Sequence, residues 1–313
     1  MTYLQIYDFT FNRQLKLLEI LEKQRRHIFR YIVLTTLLVL LVLCLLPVVS
    51  HGSPPSEDTL DRLPHRLTVM TWNTGRMGGF VKPAQNPVLQ YLLKQNADVI
   101  CLQEVDVYKD AKYLTLPDVK ETLGSKYPYS YIDFSVYNKR HQYGTMVWSR
   151  YPIINKQSIR YESEGNLSNQ CDLIIDGDTI RVINNHLESY KFTSEDMDDV
   201  GNVGSKVGRS IPLRIRQARA VKRMINASPY PTLVVGDFNA IPLSYTYLYI
   251  RRGLHDAFLE TSWFRTGPTC KKRGIGIRID YILGTQSLLP VSCAVDYKAT
   301  GSDHWPVEAT FAW

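Results

Sequence analysis

The chain has 313 residues, of which 44% are hydrophobic and 21% are charged, and its formal net charge is +7. This composition excludes an intrinsically disordered chain and a fibrous repeat, and five cysteines are too few for a small disulfide-stapled domain. The length suits one large domain or two smaller ones.

The first fifty residues differ in composition from the rest. Residues 31–50 hold no charged side chain, and at about 1.5 Å per residue this run spans the roughly 30 Å core of a bilayer. More Lys and Arg residues precede the run than follow it, so we predict a basic cytoplasmic segment at residues 1–30 and a single-pass transmembrane signal anchor at 31–50. The alternatives are a buried core helix, and cleavage after the small residues at 48–50.

Residues 51–65 are polar and contain three prolines, which predicts a linker. It leads to a predicted catalytic domain at residues 66–313, which we expect on the extracytoplasmic side, periplasmic or extracellular. An exported domain permits a disulfide among Cys171, Cys270 and Cys293, and the sequence leaves the pairing open.

From residue 66 onward, strand-like and helix-like patterns alternate. Arg66–Asn73 predicts a strand, Pro87–Gln95 a helix and Asp98–Leu102 a buried strand. Further strands are predicted at Tyr129–Phe134, Thr145–Ser149, Cys171–Ile175, Thr179–Asn184, Thr232–Val235, Ile279–Leu283, Val291–Tyr297 and Val307–Phe311. Residues 195–208 indicate a mobile surface loop before a predicted helix at Leu213–Ile225. This pattern favours two packed sheets with helices outside.

Polar side chains follow the core strands at the points where each strand ends. The set comprises Asn73, Glu104, His186, Asp237, Asn239, Asp303 and His304. Rigid strands aim such groups while loops admit a substrate, and carboxylate and amide oxygens suit Mg²⁺ or Mn²⁺ better than zinc. A histidine beside an aspartate can take a proton from water, so the set predicts metal-dependent hydrolysis of a phosphoester.

Seven segments, taken in order, resemble the endonuclease/exonuclease/phosphatase superfamily. They are MTWNTGRMGG, VICLQEVD, YGTMVWSRYPI, NNHLES, VVGDFNA, RIDYIL and GSDHWPV, and together they span about residues 66–313. The resemblance implies the DNase I-like fold, an α/β (α+β) four-layered sandwich of two packed mixed sheets flanked by helices, here preceded by one transmembrane helix.

The resemblance also implies a metal site. Glu104 would be the main ligand of Mg²⁺ or Mn²⁺, and Asn73 would help to orient the metal and the phosphate. Asp237 and Asn239 would position the attacking water or a second metal and would bind the phosphate.

The same resemblance implies roles in catalysis. His304 would be the general base, with Asp303 supporting it or touching the metal. His186 would bind the scissile phosphate or assist the leaving group. Asp280 would anchor the active-site loop by hydrogen bonds, and Tyr143 would either bind phosphate or be a packed aromatic residue.

The superfamily leaves the substrate open, because its members act on nucleic acids, inositol lipids or sphingomyelin. A nuclease-like activity is favoured by the basic stretch Lys271–Arg273 with Arg278, and by Tyr245–Tyr249 if that segment stacks on bases rather than on the core. The predicted anchor favours a phospholipid-directed phosphoesterase, either sphingomyelinase-like or an inositol-lipid phosphatase. Residues 1–50 carry +3 of the net charge, and the remaining +4 is modest for a nucleic-acid binder.

The expected partners are a phosphoester substrate, nucleic acid or phospholipid, and the membrane through residues 31–50. No obligate protein partner is indicated, so we expect a monomeric catalytic domain. A catalytically inactive binding module is a further alternative, but the retention of Glu104, Asp237, Asn239 and His304 argues against it.

Overall fold

The computed structural model describes residues 23–25, 27, 28, 30–36, 55–79, 81–189, 200–262, 266–272 and 274–313. Most of the predicted anchor, residues 37–50, lies outside the described residues. Within the described part of the chain, no helix is both long enough and apolar enough to cross a membrane. The chain divides into two units, Met1–Val48 and Val49–Trp313, and the following description concerns the second.

Two six-stranded mixed sheets form the centre of this unit. The strands are β1 (Arg66–Asn73), β2 (Val99–Tyr108), β3 (Tyr129–Tyr137), β4 (His141–Ser149), β5 (Ile153–Arg160), β6 (Leu167–Ile175), β7 (Asp178–His186), β8 (Thr232–Asp237), β9 (Leu254–Asp256), β10 (Cys270–Lys272), β11 (Ile275–Ile277), β12 (Asp280–Thr285), β13 (Leu289–Val295) and β14 (Val307–Ala312). The first sheet has the order β13-β14-β1-β2-β4-β3 and the second β5-β6-β7-β8-β12-β9, while β10 and β11 form a separate hairpin. The pairs β1–β2 and β7–β8 are parallel, and the other pairs are antiparallel.

Six α-helices accompany the sheets in the described part of this unit. They are α1 (Glu57–Asp61), α2 (Pro87–Lys94), α3 (Leu116–Gly124), α4 (Val200–Asn226), α5 (Tyr245–Arg251) and α6 (Ala257–Thr261), with a 3₁₀ turn at Pro83–Gln85. Apolar side chains of α2 and α3 pack on the first sheet, and those of α4 and α5 pack on the second. The two mixed sheets flanked by helices confirm this part of the predicted fold class, whereas the preceding transmembrane helix stays a prediction.

Side chains along a central strand alternate between two apolar layers. In β8, Leu233 and Val235 enter the core between the sheets, whereas Val234 faces the outer layer under α4 and α5. Each such side chain is fully buried, which contributes roughly 1.5–3 kcal/mol of transfer free energy. The near-continuous apolar sequence of this strand follows from burial on both faces.

Two buried amides connect the sheets near the ends of β2 and β7. Gln103 Nε2 donates to Asn184 Oδ1 at 2.6 Å, and Asn184 Nδ2 donates to the carbonyls of Leu102 and Met146 at 3.2 and 3.3 Å. A buried amide without partners costs about 1–3 kcal/mol, so this pairing favours one spacing of the two sheets.

Several elements differ from the sequence-based expectation, among them α1, α4 and β5. Helix α1 lies inside the predicted linker, where the Ser56 side chain accepts a hydrogen bond from the Thr59 N–H and caps it. Residues 200–208, predicted as loop, are helical, because α4 begins before Pro212 and continues through it. The polar strand β5 was not predicted, because an edge strand with mostly exposed side chains lacks an apolar alternation.

The described cysteines Cys101, Cys171, Cys270 and Cys293 are free thiols. Three of them are buried in the domain. No disulfide therefore forms among the described residues.

Gly236 lies where β7 and β8 approach most closely. It has a φ of +119°, and a Cβ added there would collide with the Asn185 carbonyl oxygen. Gly177 also has a positive φ, +95°, but a Cβ there would meet nothing within 4 Å. A comparison of substitutions at these two glycines therefore distinguishes the cost of backbone strain from the cost of a steric clash.

We expect Gly236→Ala to lower the free energy of unfolding by about 3 kcal/mol or more, since strain and the collision add. Gly177→Ala, the matched control, should cost about 1–2 kcal/mol from strain alone. Urea denaturation followed by circular dichroism measures both. Equal losses for the two variants would contradict the steric argument.

Candidate active site

The two parallel strand pairs bring polar residues to one edge of the sandwich. Parallel strands end at the same edge, so Asn73 of β1 lies beside β2, and His186 of β7 is in register with Asp237 of β8. A cleft of about 480 Å³ opens there. Its lining includes the predicted site residues Glu104, Tyr143, His186, Asp237, Asn239, Asp303 and His304.

Asn73 links the two sheets at the floor of the cleft. Its buried Nδ2 donates to Glu104 Oε1 at 3.0 Å and to Asp237 Oδ2 at 2.9 Å. Its Oδ1 accepts from the N–H of Gly75 at 3.1 Å, which fixes the orientation of the amide. One amide thus holds two carboxylates from different sheets at a fixed separation.

Glu104 and Asn239 have left-handed backbones, with φ of 50° and 49°. Glu104 lies at a register shift between β2 and β4, where Leu102 and Val105 are consecutive paired residues. A bulge of this kind re-aims a side chain, and here it points the carboxylate toward the cleft. Each left-handed backbone conformation costs of order 1–3 kcal/mol of folding free energy, which the surrounding packing must offset.

Asn239 is held by hydrogen bonds on both sides. Its N–H donates to Asp237 Oδ1 at 2.7 Å, and its Nδ2 donates to Asp237 Oδ2 at 3.1 Å and to the Leu187 carbonyl at 3.0 Å. The adjoining segment is held in turn by Gln217 Oε1, which accepts from the Glu188 N–H at 2.8 Å, and by Arg214, which donates to the Glu188 carbonyl at 2.6 Å. These contacts fix the chain between the cleft and α4.

The carboxylates fit a hard divalent cation. Ligand atoms of Glu104, His186 and Asp237 all lie within 4.8 Å of one another. Burial alone would raise the pKa of Glu104, but the hydrogen bond and charge of His186 at 3.5 Å, with the Asn73 amide, lower that pKa to about 2. Glu104 is therefore ionised at neutral pH and keeps 29% of its side chain exposed toward the cleft. Carboxylate oxygens are the donors that such a cation prefers.

His304 is paired with Asp280. His304 Nδ1 donates to Asp280 Oδ2 at 2.9 Å, and Thr269 Oγ1 donates to the same oxygen at 2.6 Å. Both partners of the pair are buried, and the histidine lines the cleft. Because Nδ1 is occupied, Nε2 is the nitrogen available for proton transfer.

This pairing bears on one of the two roles expected for Asp303, support of His304, while contact of Asp303 with the metal stays a prediction. Asp303 is exposed, with a carboxylate oxygen within 4.8 Å of a ring nitrogen of His304, but the hydrogen bond to Nδ1 belongs to Asp280. The placement comes from the segment next to Asp280, since Cys270 and His304 form a β-bridge and the Trp305 N–H donates to the Thr269 carbonyl at 2.7 Å. Asp280 also anchors the preceding loop, since its N–H and that of Ile279 both donate to Thr269 Oγ1 at 3.0 Å.

The electrostatics of the pair favour a charged imidazole. Burial alone would lower the pKa of His304, but the charge and hydrogen bond of Asp280 raise it well above its ordinary value. Burial raises the pKa of Asp280, and attraction to His304 opposes that rise. The base form of His304 therefore accumulates only at higher pH.

The turn that carries His304 is tied to β1. Ser302 Oγ donates to the Asn73 carbonyl at 2.8 Å, and the His304 N–H donates to Ser302 Oγ at 3.1 Å. The Trp72 indole N–H donates to the His304 carbonyl at 2.9 Å. Neighbouring residues of one strand thus position both the Asn73 amide and the histidine.

Tyr143 and His186 form the opposite wall. Their ring centroids are 6.3 Å apart in an edge-to-face arrangement, and His186 Nδ1 lies 3.2 Å from the Gly165 carbonyl. Burial and the charge of Glu104 raise the pKa of Tyr143, so its hydroxyl stays protonated and can donate to a phosphate oxygen. The described geometry brings Tyr143 to the site, and its role there remains a prediction.

Arg278 does not contribute to a basic surface, which corrects the sequence-based expectation. It is 4% exposed, donates twice to Asp256 at 3.1 Å and lies over the ring of Tyr281. Tyr247, from the tyrosine-rich stretch, is also buried against Asp256, so at this position the core contact is the correct alternative. Arg278 and Tyr247, which were predicted to contact the substrate, instead stabilise α5 and β12.

Several cleft residues were not identified from the sequence. They are Arg76, Asp106, Val136, Asn138, His141, Glu164, Gly165, Asn166 and Ser189. Asp106 follows Glu104 by two positions along β2, so the two-residue repeat of a strand gave a signal for it. His141 carried no signal, because only the β2–β4 register places it beside Asp106, at 2.6 Å.

Comparison with known proteins identifies the architecture. Residues 70–304 match the endonuclease/exonuclease/phosphatase family, which is well over half of the chain. No curated protein matches the sequence.

Solved structures with this fold differ in sequence from the chain. Truncated TDP2 from Caenorhabditis elegans has a TM-score of 0.57 and 21% identity, covering 81% of this chain and 100% of that chain. The catalytic domain of human Nocturnin with bound sulfate has a TM-score of 0.57 and 18% identity, covering 79% and 94%. Sphingomyelinase C from Streptomyces griseocarneus has a TM-score of 0.53 and 17% identity, covering 79% and 99%. At these identities the likeness establishes the DNase I-like fold alone.

The Asp280–His304 pair predicts a pH effect. Removing the charge in Asp280→Asn lowers the pKa of His304, so the rise of kcat/KM with pH should move to lower pH. The plateau should fall by about 10²-fold or more, because an amide can donate to Nδ1 and impose the wrong tautomer. A pH profile with bis-(p-nitrophenyl) phosphate measures both effects. Movement of the rise to higher pH would be inconsistent with the pairing.

The Glu104 carboxylate predicts a metal effect. Glu104→Gln keeps the size of the side chain but removes its charge, so half-maximal activity should require about tenfold more Mg²⁺ or greater. A Mg²⁺ titration of turnover measures this, and Glu164→Gln, at an exposed carboxylate of the same cleft, is the control. An unchanged titration for Glu104→Gln would show that this carboxylate does not hold the metal.

Proposed function

We propose that the chain, which belongs to the endonuclease/exonuclease/phosphatase family, hydrolyses a phosphodiester or phosphomonoester bond with a water activated at His304. The observation that carries this proposal is the buried Asp280–His304 pair in one cleft with the carboxylates of Glu104 and Asp237. A base and a cation site so close together match the two requirements of phosphoester hydrolysis, proton removal from water and neutralisation of charge on phosphate.

The base works through a fixed tautomer. Asp280 accepts the Nδ1 proton of His304, which leaves Nε2 to take a proton from water at the cleft. After that transfer the imidazole is cationic, and the same carboxylate stabilises it. Thr269 holds the carboxylate by donating to the oxygen that contacts the histidine, so the pair keeps its alignment.

The other wall of the cleft supports binding of the phosphate. His186 and Tyr143 present hydrogen-bond donors, and Asn239 lines the same cleft, where it donates to Asp237. The raised pKa of His186, caused by the Glu104 carboxylate against the opposing effect of burial, favours the cationic form that binds a phosphate oxygen. His186 and the base thus have different tasks on one substrate.

Among the predicted ligands, Glu104, Asp237 and Asp303 offer carboxylate oxygens that would hold Mg²⁺ or Mn²⁺, whereas Asn73 and Asn239 donate hydrogen bonds to those carboxylates through Nδ2. The bound cation supplies Lewis-acid polarisation of the phosphoryl group and offsets its developing negative charge. Asn73 donates to the carboxylates of both Glu104 and Asp237, which fixes the orientation of these two acids.

For the substrate, we propose a nuclease-like activity. The alternative is a phospholipid-directed phosphoesterase, and the structural neighbours named above include both a sphingomyelinase and TDP2. Export and tethering through residues 31–50, with the catalytic domain on the extracytoplasmic side, remain a proposal supported by the uncharged run and the cations that precede it.

The decisive experiment uses His304→Ala in hydrolysis of bis-(p-nitrophenyl) phosphate with Mg²⁺. Turnover should fall by about 10²–10⁴-fold, because general-base catalysis contributes that factor, and EDTA should abolish turnover of the wild-type chain. His255→Ala is the control, since His255 also contacts a carboxylate, Glu260 at 2.6 Å, but does not line the cleft. Absence of metal-dependent turnover in the wild type would favour the inactive binding module.

A further inference from the structure

One rim of the cleft combines exposed cations with an exposed aromatic ring. The cations are Arg76, Lys109, Lys112, Lys139 and Arg140, and the ring belongs to Tyr137. We call these six residues the hairpin rim, because three of them lie on the β3–β4 hairpin. The catalytic roles described above use none of them.

The hairpin rim is continuous with the cleft. Strands β2 and β4 pair as far as Tyr108 and His141, and beyond them the Lys109 N–H donates to the Arg140 carbonyl at 3.0 Å. His141 and Arg76 both line the cleft. A substrate that leaves the catalytic centre along β2 therefore passes over the rim.

The cations of the rim carry uncompensated charge. None of the five forms an ion pair with a carboxylate among the described residues, whereas other surface cations do, as in Lys82–Asp118 and Arg150–Asp98. Two acids, Asp106 and Asp110, lie beside these five cations, and further carboxylates, among them Glu104, Glu164 and Asp303, line the adjoining cleft. At the rim itself, five cations therefore stand against two carboxylates. The net field at this rim is positive, which attracts a polyanion.

Tyr137 gives the rim a stacking surface. Its ring is 69% exposed, and Lys109 Nζ lies 4.3 Å from the ring centroid. Cations that track a phosphate backbone and an exposed ring that stacks on a base are the two parts of a single-strand binding surface. The rim has no exposed aliphatic side chain of the kind that inserts into a lipid surface.

We propose that the hairpin rim binds the single-stranded nucleotides that adjoin the scissile phosphate, so that the substrate is a single-stranded nucleic acid or a single-stranded end. This inference rests on the proposed function of the cleft. It identifies the part of the molecule that distinguishes a polynucleotide from a small phosphoester.

The test compares two rim variants with two controls in the full chain. Lys109→Ala and Tyr137→Ala change the rim. Lys120→Ala changes an exposed lysine on α3, and Tyr129→Ala changes an exposed tyrosine at the opposite end of the strand that Tyr137 ends. Fluorescence anisotropy with a labelled oligothymidylate, in EDTA, gives Kd over a range of salt concentrations, and kcat/KM is measured with Mg²⁺ on the oligonucleotide and on bis-(p-nitrophenyl) phosphate.

Each rim variant should weaken oligonucleotide binding and kcat/KM by about tenfold, while hydrolysis of bis-(p-nitrophenyl) phosphate stays within about twofold. For Lys109→Ala the slope of log Kd against log salt should become shallower by about 0.7, because one phosphate contact is lost. For Tyr137→Ala the weakening should be the same at every salt concentration. Both controls should behave as the wild type.

The inference is wrong if both rim variants bind the oligonucleotide as the wild type does, or if the activity on the small substrate falls in parallel. Hydrolysis of sphingomyelin or phosphoinositide vesicles without oligonucleotide binding would also overturn it, and would leave the proposed hydrolase intact. Absence of turnover in the wild-type chain on every substrate would instead contradict the proposed function. The binding measurements in EDTA would still show whether the hairpin rim binds the oligonucleotide.

Discussion

The site depends on one buried amide that holds two carboxylates together. Asn73 donates to Glu104 of the first sheet and to Asp237 of the second, so the distance between the acids is set by a side chain rather than by the loops. Two buried carboxylates repel each other and are costly to desolvate, and shared hydrogen bonds reduce both costs. The buried Gln103–Asn184 amide pair plays a similar part, because its hydrogen bond joins one sheet to the other.

Much of the domain's local strain and polar burial is concentrated at this edge. Glu104 and Asn239 adopt left-handed backbones, and Asp280 Oδ1 is buried without a hydrogen-bond partner among the described residues. Apolar layers on both faces of each sheet offset these costs. The polar groups at this edge are therefore held rigidly. A substrate or a cation can supply the contacts that the protein itself does not make.

The strands and the strand-end residues were predictable, because they depend on local alternation and on short motifs. Arg66–Asn73 forms a strand as predicted, and the residues proposed at the strand ends meet in one cleft or directly beneath it. Contacts that depend on register were not predictable. Asp280, rather than Asp303, pairs with His304 because residues 269–270 pair with residues 304–305, and Arg278 contacts Asp256 because β9 lies beside β12. Neither alignment leaves a mark on the local sequence.

The hydrogen bond from Trp72 to the His304 carbonyl joins residues that are 232 positions apart. Closing a loop of this length costs conformational entropy, so a contact between such distant residues becomes favourable only after most other structure has formed. We expect this hydrogen bond to form late in folding, once the strands that carry its two partners are in place. In a partly folded chain, Asn73 and His304 would therefore not yet lie together at one edge of the sheets.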